Sequence, residues 1–136
     1  MTKWINLLIG GTAGTVLRYW ITAAVHQWTG PEFPYGTLTV NTIGCFLAGI
    51  FYSLAEAKLA ASQEARLLFL VGFCGAFTTF SSLILESTHL AKNGELVKAL
   101  LNIAFNLFAG FFVFLAAYSL TQFALTALSV PEKAQS

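Results

Sequence analysis

The stretch Gly72-Phe-Cys-Gly-Ala-Phe-Thr-Thr-Phe-Ser-Ser-Leu-Ile-Leu-Glu86 decides the fold of this chain. It lies in the middle of an apolar segment long enough to cross a membrane. It nevertheless carries glycines at 72 and 75 and hydroxyl side chains at 78, 79, 81 and 82. Polar or irregular backbone at membrane depth is tolerated only where protein buries it or water reaches it. The stretch is therefore expected to face a site or a pathway rather than lipid.

The composition around this stretch is that of an integral membrane protein. Of 136 residues, 57% are hydrophobic and only 10% are charged, whereas soluble domains carry about 25% charged residues. Apolar runs long enough to span a bilayer recur along the chain. We predict a single all-α transmembrane domain over residues 1–136. An enzyme is the least favoured class, because the sequence has no nucleophile–base pair or metal-ligand set.

Four spans are predicted, since a bilayer needs about 20 apolar residues per helix. Their approximate ranges are residues 4–28, 37–56, 67–90 and 100–125. The loop at 29–36 contains two prolines and two glycines, which cannot continue a helix. In the first span, Gly10 and Gly14 permit close approach of another helix.

Polar side chains inside the spans are the candidate functional residues. Arg18 either faces a cavity or snorkels to the nearer interface. Asn41 either takes part in function or makes an interhelical hydrogen bond. Asn102 and Asn106 are four residues apart and share one helical face, as a polar track or as helix–helix contacts. Glu86 either takes part in permeation or lies at the membrane surface.

Lysine and arginine set the orientation of membrane spans. With four spans, the N-terminus, the second loop and the C-terminus share one side and carry Lys3, Lys58, Arg66 and Lys133. The opposite side carries two cations, Lys92 and Lys98. Four against two is a weak bias that allows insertion in both orientations. Four short helices are too few to enclose a hydrated path, so we expect an oligomer, most simply a dimer.

Three motifs resemble those of the CrcB/Fluc family of fluoride channels, and with the four-span layout and the short loops the resemblance covers essentially the whole chain. They are Gly10-Gly11-Thr-Ala-Gly14-xxx-Arg18-Tyr19, Gly36-Thr37-Leu38-Thr-Val40-Asn41-xx-Gly44 and Gly72-Phe-Cys74-Gly75-Ala-Phe-Thr78-Thr79-Phe80-Ser81. The third motif is the most specific, because such a run inside a span is hard to reach by chance.

The resemblance implies an antiparallel, dual-topology homodimer with two pores. Such a channel exports fluoride passively across the cell inner membrane and protects against fluoride toxicity. The third span breaks near its middle, and the carbonyls of Gly75 and Thr78 hold a structural Na⁺ on the dimer axis. Phe80 lines the pore and Asn41 donates hydrogen bonds to the anion. Asn102 and Asn106 form part of a polar track, together with Gly110.

Elementary chemistry agrees with these expectations. A helix break from Gly75 to Thr78, which Gly75 would ease, would release backbone carbonyls, and these are hard oxygens suited to Na⁺. The electropositive edge of the Phe80 ring and the hydroxyls of Ser81 and Ser82 suit an anion that must be bound but also released.

Two other classes stay open. A small four-span multidrug or cation exporter relies on a carboxylate in its first span, where this chain has Arg18 and no acid. A non-transporting membrane assembly subunit would not need polar side chains in several spans.

The chain departs from the family pattern just after the most specific motif. Leu83 stands where a second pore phenylalanine is expected, and Ile84 stands where a serine is expected. Leucine can line a pore but offers no electropositive edge, so we predict that conduction survives at a lower rate. Leu83→Phe should therefore raise fluoride flux from protein-containing liposomes. An unchanged or lower rate would contradict this explanation.

Overall fold

The computed structural model describes residues 2–59 and 62–129, and every regular element in these ranges is helical. In chain order the elements are α1 (Thr2–Thr29), α2 (Tyr35–Glu56), α3 (Gln63–Arg66), a π-helical segment (Leu67–Cys74), α4 (Gly75–Phe77), α5 (Phe80–Lys92) and α6 (Leu96–Ser129). The all-α prediction is confirmed, and the predicted spans 4–28, 37–56, 67–90 and 100–125 are helical apart from an interruption at residues 78 and 79. The predicted polar tail with Lys133 lies outside the described residues.

The third run of helix, residues 63–92, is interrupted and is called the broken helix below. Two residues interrupt it, Thr78 at φ −84° and ψ 155° and Thr79 at φ −147° and ψ 113°. The prediction that the break begins at Gly75 is wrong, because Gly75 is helical at φ −63° and ψ −33°. The physical reason is that β-branched threonine suits extended backbone, and the Thr79 hydroxyl caps the next helix.

Three of these helical runs are long and apolar enough to cross a membrane. They are Tyr35–Glu56, Gln63–Lys92 and Leu96–Leu128. The chain is accordingly a multi-pass membrane protein.

The first helix, α1, accompanies the broken helix along most of its length. The Asn6 side chain donates to the Glu64 carbonyl, and farther along α1 the backbone at Gly14 meets Phe73 and Phe77. Because residue numbers rise together in the two elements, α1 and the broken helix run in the same direction.

The helices α2 and α6 are paired in the same way. Asn41 bonds to Asn106 near the start of α2, and Glu56 accepts a hydrogen bond from Tyr118 at its end. The core of the chain lies where this pair meets the broken helix, and its most buried apolar side chains are Val40, Phe77, Leu83 and Ala117. Large apolar side chains elsewhere on α1 and α6 are exposed, as expected for surfaces that face lipid or a partner.

The packing of α1 on the π-helical segment depends on Gly14. A Cβ at Gly14 would collide with the Phe73 carbonyl and lie 3.0 Å from the Phe77 backbone nitrogen. Neither atom belongs to a flexible side chain that could move aside. A Cβ at Gly10 would likewise collide with the Leu68 carbonyl, so the predicted close approach at both glycines is confirmed.

Gly14→Ala should destabilise the protein by about 1–3 kcal/mol, because the added methyl group overpacks a backbone contact. The measurement is the unfolding transition of the purified protein in detergent. Gly11→Ala is the matched control, since a Cβ at Gly11 meets no atom of residues 2–59 and 62–129 within 4 Å. Equal transitions for the two variants would contradict the close-packing argument.

Candidate functional site

The break in the broken helix is held by one side chain from α2. The Thr79 N–H donates to Asn41 Oδ1 at 2.7 Å, and Asn41 Nδ2 donates to the Thr79 carbonyl at 3.2 Å. The Asn41 amide thus satisfies both backbone groups of the residue that leaves the helix. An unpaired backbone group at this depth would be costly. Asn41 therefore replaces the backbone bonds that the break removes.

The break also releases two backbone carbonyls. In an uninterrupted helix the Thr79 N–H would donate to the Gly75 carbonyl, and the Ser82 N–H would donate to the Thr78 carbonyl. Here the Thr79 N–H donates to Asn41, and the Ser82 N–H donates to Thr79 Oγ1 at 3.1 Å. Gly75 is exposed on the surface of the chain. The two carbonyls predicted to bind sodium are hence hard oxygen donors freed from helical pairing, which fits a hard cation.

A line of side-chain amides continues from Asn41 into α6. Asn41 Nδ2 donates to Asn106 Oδ1 at 2.8 Å, and Asn106 Nδ2 donates to Asn102 Oδ1 at 3.0 Å. Asn106 Nδ2 also donates to the Asn102 backbone carbonyl, and Asn102 Nδ2 donates to Ser87 Oγ at 3.0 Å. We call Thr79, Asn41, Asn106, Asn102 and Ser87 the amide relay. Asn102 is 0% exposed and Asn106 is 6% exposed.

The relay occupies donors that the sequence assigns to the anion path. Both N–H groups of Asn41 and both of Asn106 have protein partners. Their assignment as direct ligands of the anion stays a prediction, as does that of Asn102. In this structure the three amides join helices to one another.

A cavity of about 270 Å³ lies beside the break. Its lining is Thr15, Arg18, Tyr19, Thr22, Thr37, Thr79, Ser82 and Glu86. Among the described residues, Arg18 Nε and Glu86 Oε2 are buried polar atoms without a hydrogen-bond partner. The other oxygen of Glu86 accepts from the Thr37 hydroxyl at 2.6 Å. This cavity, called the inner cavity below, thus holds an orphaned donor and an orphaned acceptor.

A larger cavity of about 650 Å³ adjoins it. The two cavities share four lining residues, Tyr19, Thr22, Thr37 and Glu86. The larger cavity also contacts the loop after α1, including Pro31 and Pro34. Glu86 therefore stands at the junction between a wide outer cavity and the polar inner one.

The structure separates the remaining predicted pathway residues. Phe80 is 66% exposed on the outer surface of the chain, and Ser81 is also exposed. Ser82 lines the inner cavity. Leu83 is 2% exposed, belongs to the core and lines neither of the two cavities, so its expected place in the pore lining stays a prediction. The structure thus brings Arg18, Ser82 and Glu86 together and leaves Phe80 and Ser81 on an open face.

Sequence reasoning missed three residues that the site depends on. Thr37 bonds Glu86, Thr79 caps α5 and is clamped by Asn41, and Ser87 ends the relay. Thr37 and Thr79 lie inside the quoted motifs, and that position is the sequence feature that could have identified them as functional. No sequence feature distinguished Ser87, because a serine in a spanning helix commonly bonds the backbone of its own helix.

Comparisons with known proteins agree on one family. The family model described as CrcB-like protein, Camphor Resistance (CrcB), matches residues 5–118. A relative from Solidesulfovibrio magneticus is 39% identical over 114 residues, covering 84% of this chain and 91% of the relative. Relatives from Desulforapulum autotrophicum and Rhizobium etli are 41% and 43% identical and cover 80% and 76% of this chain, and 87% and 83% of their own lengths. Each of the three is named fluoride-specific ion channel FluC.

Thr79→Val should destabilise the protein by about 1 kcal/mol, because the near-isosteric change removes the oxygen that caps α5. Thr78→Val is the matched control, since the Thr78 hydroxyl donates only to the Cys74 carbonyl, which already accepts from the Thr78 N–H. Unfolding in detergent measures both variants. A larger loss for Thr78→Val would contradict the capping role.

Proposed function

We propose that this chain, which belongs to the CrcB-like protein family, is a fluoride-selective channel that lets fluoride leave the cell passively across the inner membrane. The observation that carries the proposal is the likeness, over most of both chains, to relatives named for fluoride conduction. Export of this kind would protect the cell against fluoride toxicity. The cavities beside the break support the proposal, because they join a wide outer opening to a narrow polar chamber.

The chemistry of the inner cavity suits a small, strongly hydrated anion. Arg18 supplies a positive charge and an N–H without a protein partner. Ser82 supplies a hydroxyl at the start of α5, where the helix N-terminus favours negative charge. Such groups replace part of a hydration shell while binding weakly enough for release. Glu86 opposes tight binding by its negative charge, so in our proposal it helps the anion to move on.

The path is completed by a second copy of the chain in antiparallel orientation. Phe80 and Ser81 are exposed beside the break, together with Gly75. A second copy on this face would bring the Phe80 ring edges toward an anion path and would generate two equivalent pores. The weak lysine and arginine bias of the sequence is consistent with such dual topology.

In the dimer α1 is the fourth spanning helix. It has 28 residues and, at 1.5 Å per residue, is long enough to cross a bilayer. It follows the broken helix from Asn6 to Gly14 in the same direction. A helix packed along a spanning helix in this way would share its depth in the membrane.

A structural Na⁺ between the two copies is the second part of the proposal. The Gly75 and Thr78 carbonyls of one copy would supply two oxygens, and the same carbonyls of the second copy would supply two more. The ion would neutralise the carbonyl dipoles that the break exposes and would join the copies at their axis. Gly75 tolerates a partner close by, since among the described residues a Cβ there would meet only the Leu70 carbonyl within 4 Å, at 3.7 Å.

Liposomes that contain the purified protein and are loaded with fluoride should release it when the membrane potential is cancelled by an ionophore. Vesicles loaded with chloride should retain their contents. An ion-selective electrode measures both, and protein-free vesicles are the control. Absence of fluoride efflux, or efflux of both anions at similar rates, would overturn the proposed function.

The same assay separates the sodium site from the pore. Protein purified and reconstituted with a bulky organic cation in place of sodium should lose fluoride efflux, and added sodium should restore it. Equal efflux in both preparations would exclude the sodium proposal while leaving the channel in place.

A further inference from the structure

The amide relay begins at the Thr79 backbone, which permits only one orientation of the Asn41 side-chain amide. The Thr79 N–H can only donate and the Thr79 carbonyl can only accept. Asn41 must therefore turn its oxygen to the N–H and its nitrogen to the carbonyl, as observed. Its second N–H then faces Asn106. The orientation of Asn41 is thus set by the break and passed on to α6.

The same logic sets the next two amides. Asn106 must present an oxygen to Asn41, so its nitrogen faces Asn102. There it meets two acceptors, the side-chain oxygen and the backbone carbonyl of Asn102. With its oxygen engaged, Asn102 turns its nitrogen to Ser87 Oγ. The orientation of each side-chain amide therefore depends on the orientation of the amide before it in the relay.

Both ends of the relay lie on the broken helix. Thr79 stands at the break, and Ser87 lies about two turns farther along α5. Between them the relay passes through α2 and α6, so α5 is attached to the rest of the chain at two points. The residues just after Thr79 are Phe80, Ser81 and Ser82. A change in the relay would therefore move the side chains that the proposed path depends on.

We infer that Asn102 is a positioning residue of the permeation path, which acts through Asn106 and Asn41 to hold the Thr79 backbone and the start of α5. This inference rests on the proposed function only for its effect on flux. Asn102 is completely buried and contacts Asn106 and Ser87. Without its side-chain oxygen, one of the two acceptors that orient the Asn106 amide is lost, and the clamp on Thr79 weakens.

The decisive variant is Asn102→Leu, which removes the amide while keeping the number and branching of the side-chain heavy atoms. Hydrogen exchange of single backbone amides, followed by NMR on isotope-labelled protein in detergent, should show the Thr79 N–H exchanging about tenfold faster. The amide of Leu90, in the same helix but beyond the relay, should change much less. Fluoride efflux should fall about tenfold, because the start of α5 is no longer held in one position.

Two further variants keep the test independent of a general loss of stability. Ala117→Val perturbs a buried site on α6 away from the relay and should leave the ratio of Thr79 to Leu90 exchange unchanged. Ser87→Ala removes only the last acceptor and should raise Thr79 exchange less than Asn102→Leu does. It also keeps the test open if Asn102→Leu does not fold.

The outcomes separate this inference from the proposed function. Unchanged Thr79 exchange in Asn102→Leu would overturn the relay, even if flux fell, and would point to Asn102 as a direct ligand. Faster Thr79 exchange without any fluoride efflux in the unaltered protein would support the relay and overturn the channel.

Discussion

Two hydrogen bonds between the Asn41 side chain and the Thr79 backbone are the interactions on which the rest of the structure depends. A membrane helix that stops in mid-bilayer leaves N–H and C=O groups that lipid cannot satisfy. Asn41 meets both needs of Thr79 with one amide. Helix α5 then begins, and the Thr79 hydroxyl caps its N-terminus by accepting from the Ser82 N–H. The break is consequently a defined element of the fold rather than a local disorder of the helix.

Two groups of polar side chains lie next to the break: the amide relay and the lining of the inner cavity. The amide relay pairs the side-chain amides of Asn41, Asn106 and Asn102 and ties α2, α5 and α6 together. Beside it, the inner cavity leaves Arg18 Nε and Glu86 Oε2 buried without a partner in the described part of the chain. Buried polar groups are normally paired. Within the described residues, the relay amides are therefore paired with one another, whereas these two polar atoms beside the cavity are not.

The sequence located the helices well, because long apolar runs bounded by proline, glycine and charged residues have few alternatives in a membrane. The family resemblance implied that the third run is interrupted, and we expected the break to run from Gly75 to Thr78, whereas the structure interrupts the helix at Thr78 and Thr79. The Thr78–Thr79 pair was harder to read. Threonine is also common inside helices, and its capping role depends on the Asn41 side chain, 38 positions away in the chain.

What the sequence determined by itself is therefore the class, the helical segments and the set of polar residues within them, whereas the break was expected from the family resemblance. The hydropathy of each segment and the identity of the polar residues within it are local properties, and so they can be recognised from the sequence alone. Only the tertiary structure decided which of these polar side chains bond one another. Whether an amide binds its neighbour or stays free depends on helix packing, which places Asn41 between Thr79 and Asn106 but leaves Arg18 and Glu86 beside a cavity.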